Sequence, residues 1–251
     1  VLHLRDSGTT WGAIVQAESE SSARGLAAKL IADEKSKDRD WVFQTSCEKS
    51  YNLAGNLAGK LVGAKSNAPR IAVIDLGCKS NILRELQSRA SEVQVFNSRA
   101  SEREIRDWSP NGILLSNGPG DPMDIRDTVK TVQGLLGWRP IFGICMGHHV
   151  LALSLGAKTF KLKFGHRGAN HPVRDELLKK IYVTSQNHGY AVDTASLPSG
   201  ASVTHTNLNA GTLEGFSYFQ KNCWSVQYHH ESHPGPNEAS QLFDFFVERL
   251  R

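Results

Sequence analysis

Pro140-Ile141-Phe142-Gly143-Ile144-Cys145-Met146-Gly147-His148-His149-Val150-Leu151-Ala152-Leu153 is the stretch on which the fold turns. A short apolar run, bounded by proline on one side, reads as a buried strand. It ends in Gly-x-Cys-x-Gly and passes directly into an apolar helix. Strand, sharp turn and helix with a cysteine at the apex make the cysteine counterpart of the G-x-S-x-G nucleophile elbow. The small residues flanking Cys145 permit the turn that lifts its side chain out of the sheet, and the helix N-terminus behind it favours a thiolate. A buried cysteine can also pack as a small hydrophobe, which is the reading that suits Cys78 and Cys223. For Cys145 the elbow spacing favours a nucleophile.

Working outward from this turn, apolar strands alternate with amphipathic helices from residue 70 onward. Ile71–Leu76 leads to a helix through Asn81–Arg89, Val93–Phe96 to one near Glu102–Trp108, and Gly112–Leu115 to one near Arg126–Leu136. Continuous apolar strands separated by helices predict an α/β fold, a mostly parallel sheet with helices on both faces and sites at the strand carboxyl ends. From about Lys158 the pattern changes to short strands and turns, among them Ile181–Thr184 and Ser225–Tyr228, and a helix over Glu238–Leu250 closes the chain. Residues 1–65 alternate apolar segments (Gly12–Val15, Trp41–Phe43) with helix-like stretches such as Ser22–Lys35 and carry no chemical motif. The polar stretch Gly63–Arg70 marks a seam. The expected division is a smaller N-terminal unit over 1–68, the remnant of a domain, and a catalytic domain over 69–251. The chain opens Val1-Leu2-His3 without an initiator methionine, so an N-terminal portion is expected to be missing.

The 251 residues include 29 Lys and Arg against 25 Asp and Glu, a net charge of +4, with 39% hydrophobic and 22% charged residues. That composition excludes a disordered chain. Acids and bases are interspersed, so a nucleic-acid partner is set aside. No apolar run approaches the ~18 residues of a membrane helix and no signal peptide is evident, so a cytoplasmic protein with no membrane partner is expected. Cys47, Cys78, Cys145 and Cys223 form no CxxC, so neither a zinc site nor a disulfide framework is expected, and no metal site is assigned.

A thiolate nucleophile needs a proton shuttle. In Gln227-Tyr228-His229-His230-Glu231, the residues His229 and Glu231 are two apart at a strand end, so extended backbone puts both side chains on one face. A carboxylate against one imidazole nitrogen fixes the tautomer of the other, which yields a Cys-His-Glu triad. His230 points the other way, and His3, His205 and His233 read as ordinary polar residues. Ser116-Asn117-Gly118-Pro119-Gly120-Asp121-Pro122 follows another strand, and its glycines let backbone N–H groups approach a ligand. No Gly-rich loop of the G-x-x-x-x-G-K-[ST] kind is present to cradle phosphate.

Together, S-N-G-P-G-D-P, G-I-C-M-G-H and Q-Y-H-H-E resemble the triad-type (class I) glutamine amidotransferases. Two further segments, Lys161–Val173 and Thr184–Asp193, together with Asp75–Arg84, narrow the resemblance to the glutaminase subunit or domain of carbamoyl phosphate synthetases. The resemblance implies that Cys145, His229 and Glu231 hydrolyse glutamine through a thioester, with Gly118, Gly120, Met146, His149, Asn187, Gly189 and Tyr190 forming the glutamine pocket. It implies a large synthetase subunit or domain as partner, which takes up the ammonia for carbamoyl phosphate synthesis in the pyrimidine and arginine pathways. No cofactor is expected in this chain; ATP and magnesium belong to the partner. Two positions depart from the family: His149 stands where glutamine is usual, and His230 where proline is usual. The first is expected to weaken glutamine binding, the second to loosen the turn between His229 and Glu231. The competing readings are a catalytically weak interaction or regulatory subunit that keeps the fold, and the amidotransferase component of another synthetase.

Overall fold

The computed structural model describes residues 6, 8, 10–37, 39–53, 68–231, 235–236 and 239–250. Ten strands form one sheet: β1 (Tyr51–Asn52), β2 (Arg70–Asp75), β3 (Glu92–Asn97), β4 (Gly112–Leu115), β5 (Ile141–Ile144), β6 (Thr159–Asp175), β7 (Lys180–Val192), β8 (Ser202–Asn207), β9 (Leu213–Tyr218) and β10 (Cys223–Val226). Their order is β1-β3-β2-β4-β5-β10-β9-β8-β6-β7. The block β3-β2-β4-β5-β10 is parallel, and the strands beyond β10 run antiparallel.

The central strands are apolar without alternation because both faces are covered. On one face lie α3 (Ser80–Gln87), through Ile82 and Leu86, and α7 (Leu242–Glu248), through Phe243, Phe246 and Val247. On the other lie α4 (Glu102–Trp108), α5 (Arg126–Leu135) and α6 (Met146–Ser154), through Ile105, Val132, Leu135, Val150 and Leu151. This is the expected layered α/β arrangement. A Ser101–Glu104 capping box starts α4, each residue's side chain satisfying a backbone N–H of the other.

The structure differs from the sequence reading at four places. Trp41-Val42-Phe43, which reads as a bare apolar segment, lies in a short helix, α2 (Trp41–Thr45), because the Asp40 carboxylate accepts a hydrogen bond from Phe43 N–H and caps it. It follows the longer helix α1 (Glu20–Ser36), capped by Ser19. After Lys158 the chain forms one long hairpin, β6 and β7, rather than short strands. Its Gly-, Asn- and Pro-containing centre stays paired through register shifts between Lys161 and His166 and between Gly168 and His171. Strand β10 stops at Val226 rather than Tyr228, and the last helix is Leu242–Glu248 rather than Glu238–Leu250, with residues 239–241 and 249–250 in turns. The seam over residues 63–70 lies mostly outside the described residues. Ahead of it, β1 pairs antiparallel with β3, and Cys47 N–H donates to the Asp75 carboxylate at the end of β2. Among the described residues no helix is long and apolar enough to cross a membrane.

Candidate active site

Cys145 sits between β5 and α6 with φ 54° and ψ −100°, a conformation that L-residues avoid. The packing around it forces this geometry. A Cβ on Gly143 would lie 2.5 Å from the Gly147 carbonyl oxygen, and a Cβ on Gly147 would lie 2.3 Å from that of Leu115. Only glycine fits at both positions, so strand and helix close to a distance that leaves Cys145 to make the turn. Three main-chain bonds hold it there. Cys145 N–H donates to Val226 O of β10, Gly147 N–H to Ser116 O beyond β4, and His148 N–H to Cys145 O. Ser116 is a buried hub: its hydroxyl accepts from Leu76 N–H while its carbonyl receives Gly147.

Topology brings the proton shuttle to the cysteine. β5 and β10 are adjacent and parallel, with Ile144 opposite Val226. The residues that follow their carboxyl ends, Cys145 and His229, therefore emerge side by side. His229 Nδ1 lies 2.8 Å from Glu231 Oε1, and its backbone N–H is pinned by Ser185 O. Its ring faces the Cys145 sulfur closely enough for the two to interact electrostatically. Burial alone would push the imidazole pKa down; the facing sulfur and the Glu231 carboxylate outweigh it and raise it to about 10. Burial likewise acts to raise Glu231, but His229 and Lys79 hold it down to about 2. The pair is thus an imidazolium beside a carboxylate once the thiol proton has moved.

Two supports of Glu231 are not legible from residue type alone. Lys79 Nζ lies 3.3 Å from its Oε1, and Asn81 Nδ2 donates to its main-chain carbonyl at 2.6 Å. Both come from the loop and first turn after β2, far away in sequence. They brace the turn through His230, across which His229 Nδ1 and Glu231 Oε1 meet at 2.8 Å. His230 does point away, as expected. Its ring packs 4.5 Å from Phe243 and 5.6 Å from Phe142, and neither nitrogen has a hydrogen-bond partner among the described residues. Burial pushes it down to about 4, so it is neutral at physiological pH.

The triad opens into a cavity of about 820 Å³. Of the residues anticipated for the pocket, Gly118, Gly120, Met146, His149, Asn187, Gly189 and Tyr190 all line it together with Cys145 and His229. Met146 N–H, at the head of α6, has no main-chain acceptor among the described residues and lies beside the nucleophile. Gly118 is obligatory, since a Cβ there would lie 2.0 Å from the Leu76 carbonyl oxygen. His149 is buried, its Nδ1 lacks a partner among the described residues, and burial pushes its pKa down to about 3. Burial and the neighbouring Asp121 carboxylate of the glycine loop push the Tyr190 hydroxyl up to about 12.

The sequence reading missed the share of the N-terminal segment. Trp11, Arg39 and Trp41 also line the cavity, and Trp41 packs against Gly120. It also missed a cluster behind the β7 rim, where His166, His188 and Glu214 bring potential metal-ligand atoms within 4.8 Å of one another. The Gln186 side chain lies among them, 3.1 Å from His166 Nδ1 and 2.7 Å from His188 Nε2, and the group reads as a closed hydrogen-bonded network.

Known proteins resemble this chain over most of its length. The carbamoyl phosphate synthase small chain of Symbiobacterium thermophilum is 43% identical over 251 residues, covering 98% of this chain and 66% of the relative. That of Bacillus caldolyticus is 43% identical over 250 residues, covering 99% and 64%, and the chloroplastic small chain of Arabidopsis thaliana is 40% identical over 258 residues, covering 99% and 58%. This chain therefore spans just under two thirds, or less, of the length of these relatives. Among solved structures, a protein described as a GMP synthase component from Thermoplasma acidophilum superposes with TM-score 0.65 at 20% identity, covering 74% of this chain and 96% of that one. A glutamine amidotransferase from Thermotoga maritima gives TM-score 0.51 at 22% identity, covering 64% and 76%. These two likenesses concern the fold alone. The family model described as glutamine amidotransferase class-I matches residues 72–249, and the chain belongs to that family.

Proposed function

We propose that the chain is the glutaminase part of a carbamoyl phosphate synthetase, hydrolysing glutamine to glutamate and ammonia through a thioester on Cys145. The observation that carries this reading is the strained Cys145 facing His229, itself held by Glu231, at the open end of the cavity. The Cys145 sulfur attacks the side-chain carboxamide carbon while its proton passes to His229. The oxygen of the tetrahedral intermediate is met by Met146 N–H and the glycine loop. Collapse breaks the C–N bond, and His229 returns the proton to the departing nitrogen, releasing ammonia. Water then adds to the thioester with His229 taking its proton. The C–S bond breaks, His229 reprotonates the sulfur, and glutamate leaves. The synthetase partner receives the ammonia and holds the ATP and magnesium. The test is labelling of the full-length protein with a glutamine analogue whose carboxamide is replaced by a chloroketone. Modification of Cys145, suppressed by glutamine, is the expected result; modification at Cys47 or Cys78, or none, sinks the reading.

His149 leads to a finer prediction. The family's glutamine at this position can donate and accept from one flexible amide, whereas a neutral imidazole holds its donor and acceptor at opposite sides of a rigid ring. His149→Gln is expected to lower the glutamine KM by roughly 2- to 13-fold, the worth of one neutral hydrogen bond, with little change in kcat. Because burial keeps His149 deprotonated down to about pH 3, the gain is expected to be the same from pH 6 to 8. Steady-state kinetics across that range check it; a KM unchanged or raised would show that His149 is an adapted ligand group.

A further inference from the structure

Beside the cavity wall formed by β7, polar side chains from β6, β7, β8 and β9 meet on one face of the sheet. Glu214 of β9 is fully buried, and its carboxylate accepts from Gln186 Nε2 at 3.0 Å, from Asn207 Nδ2 at 3.2 Å and from the Thr212 hydroxyl at 3.3 Å. A carboxylate offers only lone pairs, so the Gln186 atom that faces it must be the amide nitrogen. Thr184 enforces the same orientation: its hydroxyl donates to His171 O, which leaves the oxygen to accept from Gln186 Nε2. Gln186 Oε1 is thereby turned toward His166 and His188. The His188 nitrogens Nε2 and Nδ1 lie 2.7 Å from Gln186 Oε1 and from the Tyr190 carbonyl; burial pushes the imidazole pKa down to about 3, so the neutral ring has one N–H, which donates to one of these two oxygens at a time.

The β6–β7 ladder pairs His166, Arg167 and Gly168 with His188, Asn187 and Gln186 between two register shifts. This short paired stretch is cut off from the regular ladder on either side, so side-chain bonds add to what holds it. Asn187 lies between Gln186 and His188 and lines the cavity together with His188. Both of its neighbours are anchored by the chain of hydrogen bonds that begins at Glu214.

We propose that Glu214 is a positioning residue for glutamine: through Gln186 and His188 it sets the β7 segment that presents Asn187, Gly189 and Tyr190 to the substrate. It touches neither Cys145 nor the cavity. The inference rests on the glutaminase reading above.

The test uses the full-length protein in its natural complex, assayed for glutamine hydrolysis. Glu214→Met keeps the volume and removes every acceptor. It is expected to raise the glutamine KM by roughly 5- to 20-fold while kcat and the rate of Cys145 alkylation by iodoacetamide stay within about twofold. Glu214→Gln is expected to restore KM to within about threefold of wild type, because its amide oxygen can still accept from Gln186 Nε2 and leave Gln186 in its present orientation. If Glu214→Met does not fold, Gln186→Met cuts the same chain one link later and is expected to give the same KM-selective loss. An unchanged KM in the folded Met variant overturns the proposal. So does an equal KM rise in the Met and Gln variants, or a kcat loss as large as the KM rise. A wild-type protein that does not hydrolyse glutamine overturns the function itself, which is a separate outcome.

Discussion

On the proposed glutaminase reading, Cys145→Ala is expected to abolish glutamine-dependent product formation by the assembled synthetase, by on the order of 10⁴-fold or more, and to leave synthesis from free ammonia at the wild-type rate. The expected asymmetry follows from the proposed division of labour. On that reading the sulfur is needed to break the carboxamide C–N bond, and once ammonia is supplied no step passes through this chain. The substitution also tests the strained turn. Alanine removes the reacting atom and keeps a Cβ at φ 54°, and the glycine packing of Gly143 and Gly147 is unchanged, so assembly is expected to persist. Parallel assays with glutamine and with an ammonium salt, on a complex whose assembly is verified by gel filtration, check the result. An equal collapse of both activities in an intact complex would make Cys145 a structural residue.

His229→Asn is expected to lower glutamine turnover by roughly 10²- to 10⁴-fold, the range that general acid–base catalysis supplies. His230→Asn is expected to leave kcat within about threefold. Adjacent imidazoles make the comparison informative, because burial, sequence position and residue type are nearly matched. What separates them is direction. His229 faces the Cys145 sulfur and carries Glu231 at 2.8 Å, whereas His230 is wedged against Phe142 and Phe243 with no polar partner among the described residues. His230→Pro, the residue usual in the family, is expected to preserve or improve turnover. Single-turnover kinetics on the three variants check the assignment; a large loss at His230→Asn with little at His229→Asn would reverse it.

The sequence alone determined the features that depend on short-range physics. Apolar runs bounded by helices predict a parallel sheet covered on both faces. The glycines at 143 and 147 announce a sharp turn at Cys145, and the two-residue spacing of His229 and Glu231 predicts the pairing of their side chains, which the structure makes at 2.8 Å across a turn rather than along extended chain. Each signal lies within a few residues, and each is decided by sterics or side-chain period. Tertiary structure alone decided what depends on segments meeting from a distance. Asp40 turned Trp41–Thr45 into a helix that packs against Gly120, and a stretch without any motif became part of the cavity wall. Lys79 and Asn81 reach Glu231 only because the segments that follow β2 and β10 converge beyond the carboxyl ends of those strands, and so they hold a turn that lacks proline. His166, Gln186, His188 and Glu214 read singly as unremarkable polar residues. They become one network because β6, β7 and β9 share a sheet, and hydrogen-bond partners brought together by strand pairing leave no periodic trace in the chain.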